Sequence, residues 1–157
     1  MLFVLFQIGT DRYALPAAQI EEVVPLVRLK KLPQAPRGVA GLLDYHGAPV
    51  PTIDLAEMAT GKSAISRLGT RIILGRYRDA SGAMRLLGLI AERATEMLRR
   101  EADDFVDAGL RHDGAPYLGP VTSDPRGQIQ RIDLLGLLSA SVRDLLFPSS
   151  IEVHDPR

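Results

Sequence analysis

Gly41-Leu42-Leu43-Asp44-Tyr45-His46-Gly47-Ala48-Pro49-Val50-Pro51-Thr52-Ile53-Asp54-Leu55 decides how the chain is read. Leu42 to Tyr45 is short and apolar and predicts a strand. His46-Gly47 is a tight turn in which Gly47 is free to take a positive φ. Val50 to Ile53 predicts the return strand. Asp54 stands where a helix N-cap belongs, and Glu57, three residues on, completes a box-like cap. Gly61 stops the short helix Leu55 to Thr60. The unit is framework plus a presented turn, and no residue in it has the setting of a catalyst.

Outward from that unit the same vocabulary recurs. Residues 2–15 predict a hairpin around Gly9-Thr10-Asp11-Arg12, ended by Pro16. Ala17 to Ile20 makes one helical turn and Glu21 to Val24 a strand, with Pro25 favouring an edge or a strand end. Val27 to Arg37 carries Arg28, Lys30, Lys31 and Arg37 with prolines at 33 and 36, and predicts an extended basic loop. Lys62 to Gly69 is a polar connector, the natural boundary between halves 2–61 and 70–138. Strands follow at 71–78, 84–91 and 94–98, then a charged stretch 99–107 and a loop 109–116. A hairpin pairs 117–122 with 128–132, and Asp133 caps a helix 134–138. Ser141 caps a helix 141–147, Pro148 stops it, and 149–157 reads as a flexible tail.

The two halves repeat. Residues 15–24 align with 89–98, placing Glu22 on Glu96. Thr52-Ile53-Asp54-Leu55 aligns with Arg131-Ile132-Asp133-Leu134. Strand, capping Asp and short helix recur in order, while the Leu43 to Gly47 hairpin has no good counterpart. Short strands broken by Gly and Pro at this spacing predict small barrels of the SH3-like kind. Barrels that small do not stand alone, so the halves are expected to share a hydrophobic seam.

Composition narrows the function. The chain has 157 residues, 46% of them apolar, and 19 basic against 19 acidic residues. A neutral chain offers no field for nucleic acid or an anionic membrane. With no Cys, disulfides, zinc-cysteine sites and thiol chemistry are excluded. Leu2 to Phe6 lacks a basic flank and a cleavage site and is too short to span a bilayer, so a soluble cytoplasmic protein with no membrane insertion is expected. Gly61-Lys62-Ser63 resembles part of a phosphate loop, but Ala56 replaces the needed glycine and the motif follows a helix instead of opening one. His46 has no partner at metal or general-base spacing. His112 and His154 are assigned nothing. Asp54 and Asp133 are explained as caps. No cofactor, metal or catalytic residue is expected. The basic run 28–37 reads as a solvated face or a protein-binding rim, since it has no interleaved aromatics. An oligonucleotide-binding barrel and a small enzyme are the rival classes.

With these residues in place the chain resembles the CheW-like family, the coupling proteins of bacterial chemosensory arrays. The resemblance covers about residues 2–147. It rests on Leu32-Pro33 and Pro36, on Gly41 to Leu55, and on Tyr13-Ala14-Leu15 followed by Ile20-Glu21-Glu22-Val23. It implies an all-β fold of two five-stranded SH3-like barrels sharing a hydrophobic core, with short helices after each half. It implies a non-catalytic adaptor between a chemoreceptor's cytoplasmic tip and the regulatory domain of a CheA-like histidine kinase, at the inner face of the membrane through receptor arrays. The receptor tip is expected in an apolar groove between the barrels. By matching position, Ile20, Glu22, Gly41, Leu43, Tyr45, His46 and Gly47 are the expected partner-binding residues. Two departures stand out. His46 replaces the arginine usual before the turn glycine, which removes a permanent charge. Arg131 replaces an aliphatic residue and suggests an edge strand or a contact. Both point toward an alternative pathway, surface-sensing or second-messenger, instead of the flagellar one. A chain of this length leaves no room for kinase or receiver domains.

Overall fold

The computed structural model describes residues 1–107 and 115–148. The predicted loop 109–116 and tail 149–157 therefore fall largely outside the described residues. Among the described residues nine strands form, in the order β1 Leu2–Ile8, β2 Asp11–Pro16, β3 Ile20–Pro25, β4 Val39–Tyr45, β5 Ala48–Asp54, β6 Arg71–Arg78, β7 Met84–Arg99, β8 Leu118–Asp124 and β9 Gly127–Ile132. Helix α1 is Leu55–Thr60 and helix α2 is Ala140–Leu146. Short 3-10 turns occupy Ala17–Gln19, Ala102–Asp104 and Leu134–Gly136.

The fold is all-β, two SH3-like barrels around a common core. The first barrel runs β3-β6-β7-β5-β4, and the second runs β7-β1-β2-β9-β8. Strand β7 serves both. The prediction of separate strands at 84–91 and 94–98 is corrected to one strand of 16 residues. Arg93 takes φ 50 and bends the chain without ending it. The first part of β7 pairs with β6 and the part beyond the bend with β1.

Pairing crosses the boundary between the halves. The β1–β2 hairpin joins β9 and the far end of β7, whereas β3, β4 and β5 join β6 and the near part of β7. Each half lends its opening hairpin to the barrel built by the other. The repeat is exact in kind: Thr52 to Asp54 of β5 pair parallel with β7, and Arg12 to Ala14 of β2 pair parallel with β9. An isolated bridge Lys30–Leu42 in the first barrel corresponds to Val106–Val121 in the second.

This arrangement explains two unbroken apolar strands. In β1, Phe3 and Leu5 enter the second barrel's interior with Ala14 and Ile129, while Val4, Phe6 and Ile8 face the shared seam. In β6, Ile72 and Leu74 enter the first barrel with Leu43 and Val50, while Ile73 and Tyr77 face the seam. Strands buried on both faces lose the polar alternation of half-exposed ones. The seam is closed by Leu134, Leu137, Leu146 and Phe147, with Phe147 stacked on Tyr77 at 5.4 Å.

Three local expectations change. Asp54 caps α1 by accepting from Glu57 N at 3.1 Å, but Glu57 does not close the box: its carboxylate accepts from Gly38 N and from Ser63 Oγ. Asp54 N donates instead to Gly38 O, so the loop before β4 competes for the groups a box would use. Ser139, not Ser141, caps α2, accepting from Val142 N at 3.3 Å. β9 lies between β2 and β8, so Arg131 is not on an edge; its guanidinium sits 5.5 Å over the Phe3 ring.

Candidate functional site

The β4–β5 hairpin turns in two residues, with Tyr45 opposite Ala48. His46 (φ 53) and Gly47 (φ 87) both lie in the left-handed region, the geometry that matches strand twist in tight hairpins. Asp44 fixes the turn by accepting from Gly47 N at 2.8 Å. Tyr45 lies half-buried, and its ring meets the edge of the exposed His46 ring at 4.4 Å. The Tyr45 hydroxyl donates to Glu22 Oε1 at 2.6 Å. That carboxylate acceptor raises the phenol above its ordinary range.

Exposed Glu22, His46 and Gly47 and half-buried Tyr45 therefore line one surface across β3 and the hairpin tip, and Glu22–Tyr45 locks it. Ile20 stands at the start of β3, half-buried against the seam. The other two expected contact residues belong to the interior. Leu43 is only 3% exposed and packs with Val50, Ile72 and Leu74, so it presents no surface. Gly41 (φ 144) allows close passage of the basic loop: a Cβ there would collide with Lys30 O.

The hairpin does have a counterpart, contrary to the sequence reading. Asp124 accepts from Arg126 N at 2.8 Å, as Asp44 does from Gly47 N. Arg126, which precedes Gly127, pairs with Glu96 at 2.7 Å. Glu96 is the repeat equivalent of Glu22. In both barrels a strand glutamate thus clamps the next hairpin's turn, through arginine in the second and through Tyr45 in the first. The spacing Asp-x-x-Gly at 44–47 and 124–127 is the signal that exposes the match. Arg12 adds a bidentate pair to Asp124 at 2.7 Å, with side chains 10% and 14% exposed. Arg12 holds the Asp124 carboxyl far below the ordinary carboxylate range.

Between the barrels lies a cavity of about 360 Å³, lined by Arg12, Arg67, Arg93 and Arg126 with Glu92 and Glu96. Leu5, Phe6 and Leu68 also line it, so its lining is mixed apolar and charged. The residues weighed for other chemistries have structural roles here. Gly61 (φ 84) is the C-cap of α1, donating to Glu57 O. Asp54 and Asp133 are engaged as caps on Glu57 N and Leu135 N. Among the described residues no group of three or more His, Asp or Glu is placed to hold a metal. No helix among them is long and apolar enough to cross a membrane. His112 and His154 lie outside the described residues.

Fold and site together define an all-β double barrel that presents a clamped hairpin. The chain belongs to the CheW-like domain family, whose model matches residues 2–142. It is 28% identical over 103 residues to the chemotaxis protein CheW of Helicobacter pylori, covering 66% of this chain. The match spans 59% of that relative's length. The scaffolding protein TtCheW from Thermoanaerobacter tengcongensis shares the fold, with a TM-score of 0.77 and 22% identity over 90% of this chain and 89% of that one.

Proposed function

We propose that this chain is a non-catalytic adaptor coupling the cytoplasmic tip of a chemoreceptor to the regulatory domain of a CheA-like histidine kinase. It acts in the cytoplasm, at the inner face of the membrane where receptors assemble. Family membership supports the reading, as do the relatives described as a chemotaxis protein and a scaffolding protein. The observation that carries it is the hairpin-tip surface of Glu22, Tyr45, His46 and Gly47, held by the Tyr45–Glu22 and Gly47–Asp44 hydrogen bonds. A surface of that kind costs little ordering entropy on association.

His46 makes this contact different in kind from an arginine contact. Its ring carries two nitrogens for hydrogen bonding and stands against Tyr45, and it lacks the five-donor fork of a guanidinium. The oligonucleotide reading gains nothing, because none of the Tyr and Phe side chains is exposed for base stacking.

Calorimetry with a kinase regulatory domain and, separately, with a receptor-tip fragment tests the proposal. Saturable binding to both is expected. Absence of binding to either at high micromolar concentration would sink it. His46→Ala is expected to weaken kinase-domain binding about fivefold, roughly 1 kcal/mol, without changing the melting temperature.

A further inference from the structure

We infer that the groove beneath the basic loop 26–37 is a docking site for an acidic, leucine-bearing segment of a partner protein. This site goes beyond the adaptor surface and shares none of its residues. The groove measures about 920 Å³. Its walls include Leu29, Leu32, Pro36, Val39 and Ile90. Arg28, Lys30, Lys31 and Arg37 also line it, and all four are exposed. No ion pair among the described residues engages any of them.

The carboxylates in the groove do not neutralise that rim. Asp54 accepts from Glu57 N and Ala64 N, and Glu57 accepts from Gly38 N and Ser63 Oγ. Among the described residues neither therefore forms an ion pair with a rim cation; Arg37 Nε donates to the Glu57 carbonyl at 3.3 Å. What remains available to a visitor is cationic at the rim and apolar on the walls.

The charge is not demanded by the fold. The segment after the far end of β7 occupies the equivalent place in the second barrel, through the matching bridge Val106–Val121. That segment is acidic, with Glu101, Asp103 and Asp104. The same architecture therefore accepts either sign, and four cations within ten positions need another reason. The loop is also held in place: Lys30 and Leu42 exchange backbone hydrogen bonds of 2.9 and 2.8 Å, and Asp54 N donates to Gly38 O at 2.7 Å. A fixed concave site whose exposed rim charges share one sign selects a complementary chain. Its concavity favours an extended or helical peptide over a membrane surface, which needs projecting apolar side chains.

The test uses the full chain and a fluorescent peptide of repeated Glu-Glu-Leu units, followed by anisotropy and by amide chemical shifts. Binding is expected to perturb amides from about 28 to 40, as the loop's position requires, and to weaken as salt rises. Reversing Arg28, Lys30 and Lys31 to Glu together is expected to weaken it at least about tenfold with the melting temperature retained. Replacing the leucines of the peptide by serine is also expected to weaken it about tenfold, because the walls are apolar. Equal binding by the triple variant, or shifts confined to other surfaces, would overturn the proposal. So would preferential binding to anionic phospholipid vesicles, or self-association of the chain that the triple variant abolishes; these would assign the loop to a membrane or to a second copy. The adaptor surface lies elsewhere, so calorimetry with the kinase domain is expected to be unchanged in the triple variant.

Discussion

Tyr45 and Leu43 sit two positions apart on β4 and share one face, yet do different work: Leu43 is 3% exposed in the first barrel, whereas Tyr45, at the hairpin end of the strand, is only half-buried and reaches Glu22. Tyr45→Phe keeps the ring against His46 and deletes only the bond to Glu22. Kinase-domain affinity is expected to fall several-fold in calorimetry while the thermal midpoint stays put; an unchanged affinity would separate the clamp from recognition. Leu43→Ala is expected to cost about 3 kcal/mol in denaturant unfolding, the usual penalty for emptying a packed site. Leu43→Glu buries a charge in the first barrel and is expected to unfold it, so it is no probe of the surface. The sequence shows both residues as one motif. It does not show how deep each lies, since alternation places Leu43 and Tyr45 on one face but does not say whether that face is the covered one or where along the strand its cover ends.

At the level of elements, the two hairpin turns are held by strand glutamates, and the second is reinforced from β2 by Arg12. Asp124 has a depressed pKa in the folded state, so the unfolded chain binds the proton more readily. The pair's contribution is then full above the unfolded value near pH ~4 and is lost as pH falls below it. Arg12→Ala is expected to cost about 2 kcal/mol at pH 7 and to flatten the acid limb of a stability-against-pH curve. An acid limb identical to wild type would show that other carboxylates carry it. The capping residues were legible from sequence: Asp54, Asp133 and Gly61 each perform the role that their side chain or its absence favours. The clamps were not, because Glu96–Arg126 and Arg12–Asp124 join residues 30 and 112 positions apart. Nothing local marks such pairs; only the repeat, with Glu22 on Glu96, hints at them.

For the whole molecule, the double barrel and its shared seam were legible because two capped units recur in order. The exchange of opening hairpins was not, since periodicity reports which residues are buried and not which strand they meet. The apolar runs in β1 and β6 are its traces, strands covered on both faces. Fragments 1–69 and 70–157 are each expected to be poorly folded alone and to recover native circular dichroism when mixed, because each lacks two strands of the barrel it begins. Independent folding of either fragment would contradict the exchange.

Coupling is the central claim, and co-sedimentation tests it most directly. Kinase is mixed with receptor-bearing membrane vesicles, with and without this chain, and the pellet is assayed. The prediction is that kinase in the pellet rises several-fold when the chain is added and that His46→Ala reduces the gain. A pellet that holds the same kinase with or without the chain, or that excludes the chain itself, would contradict it.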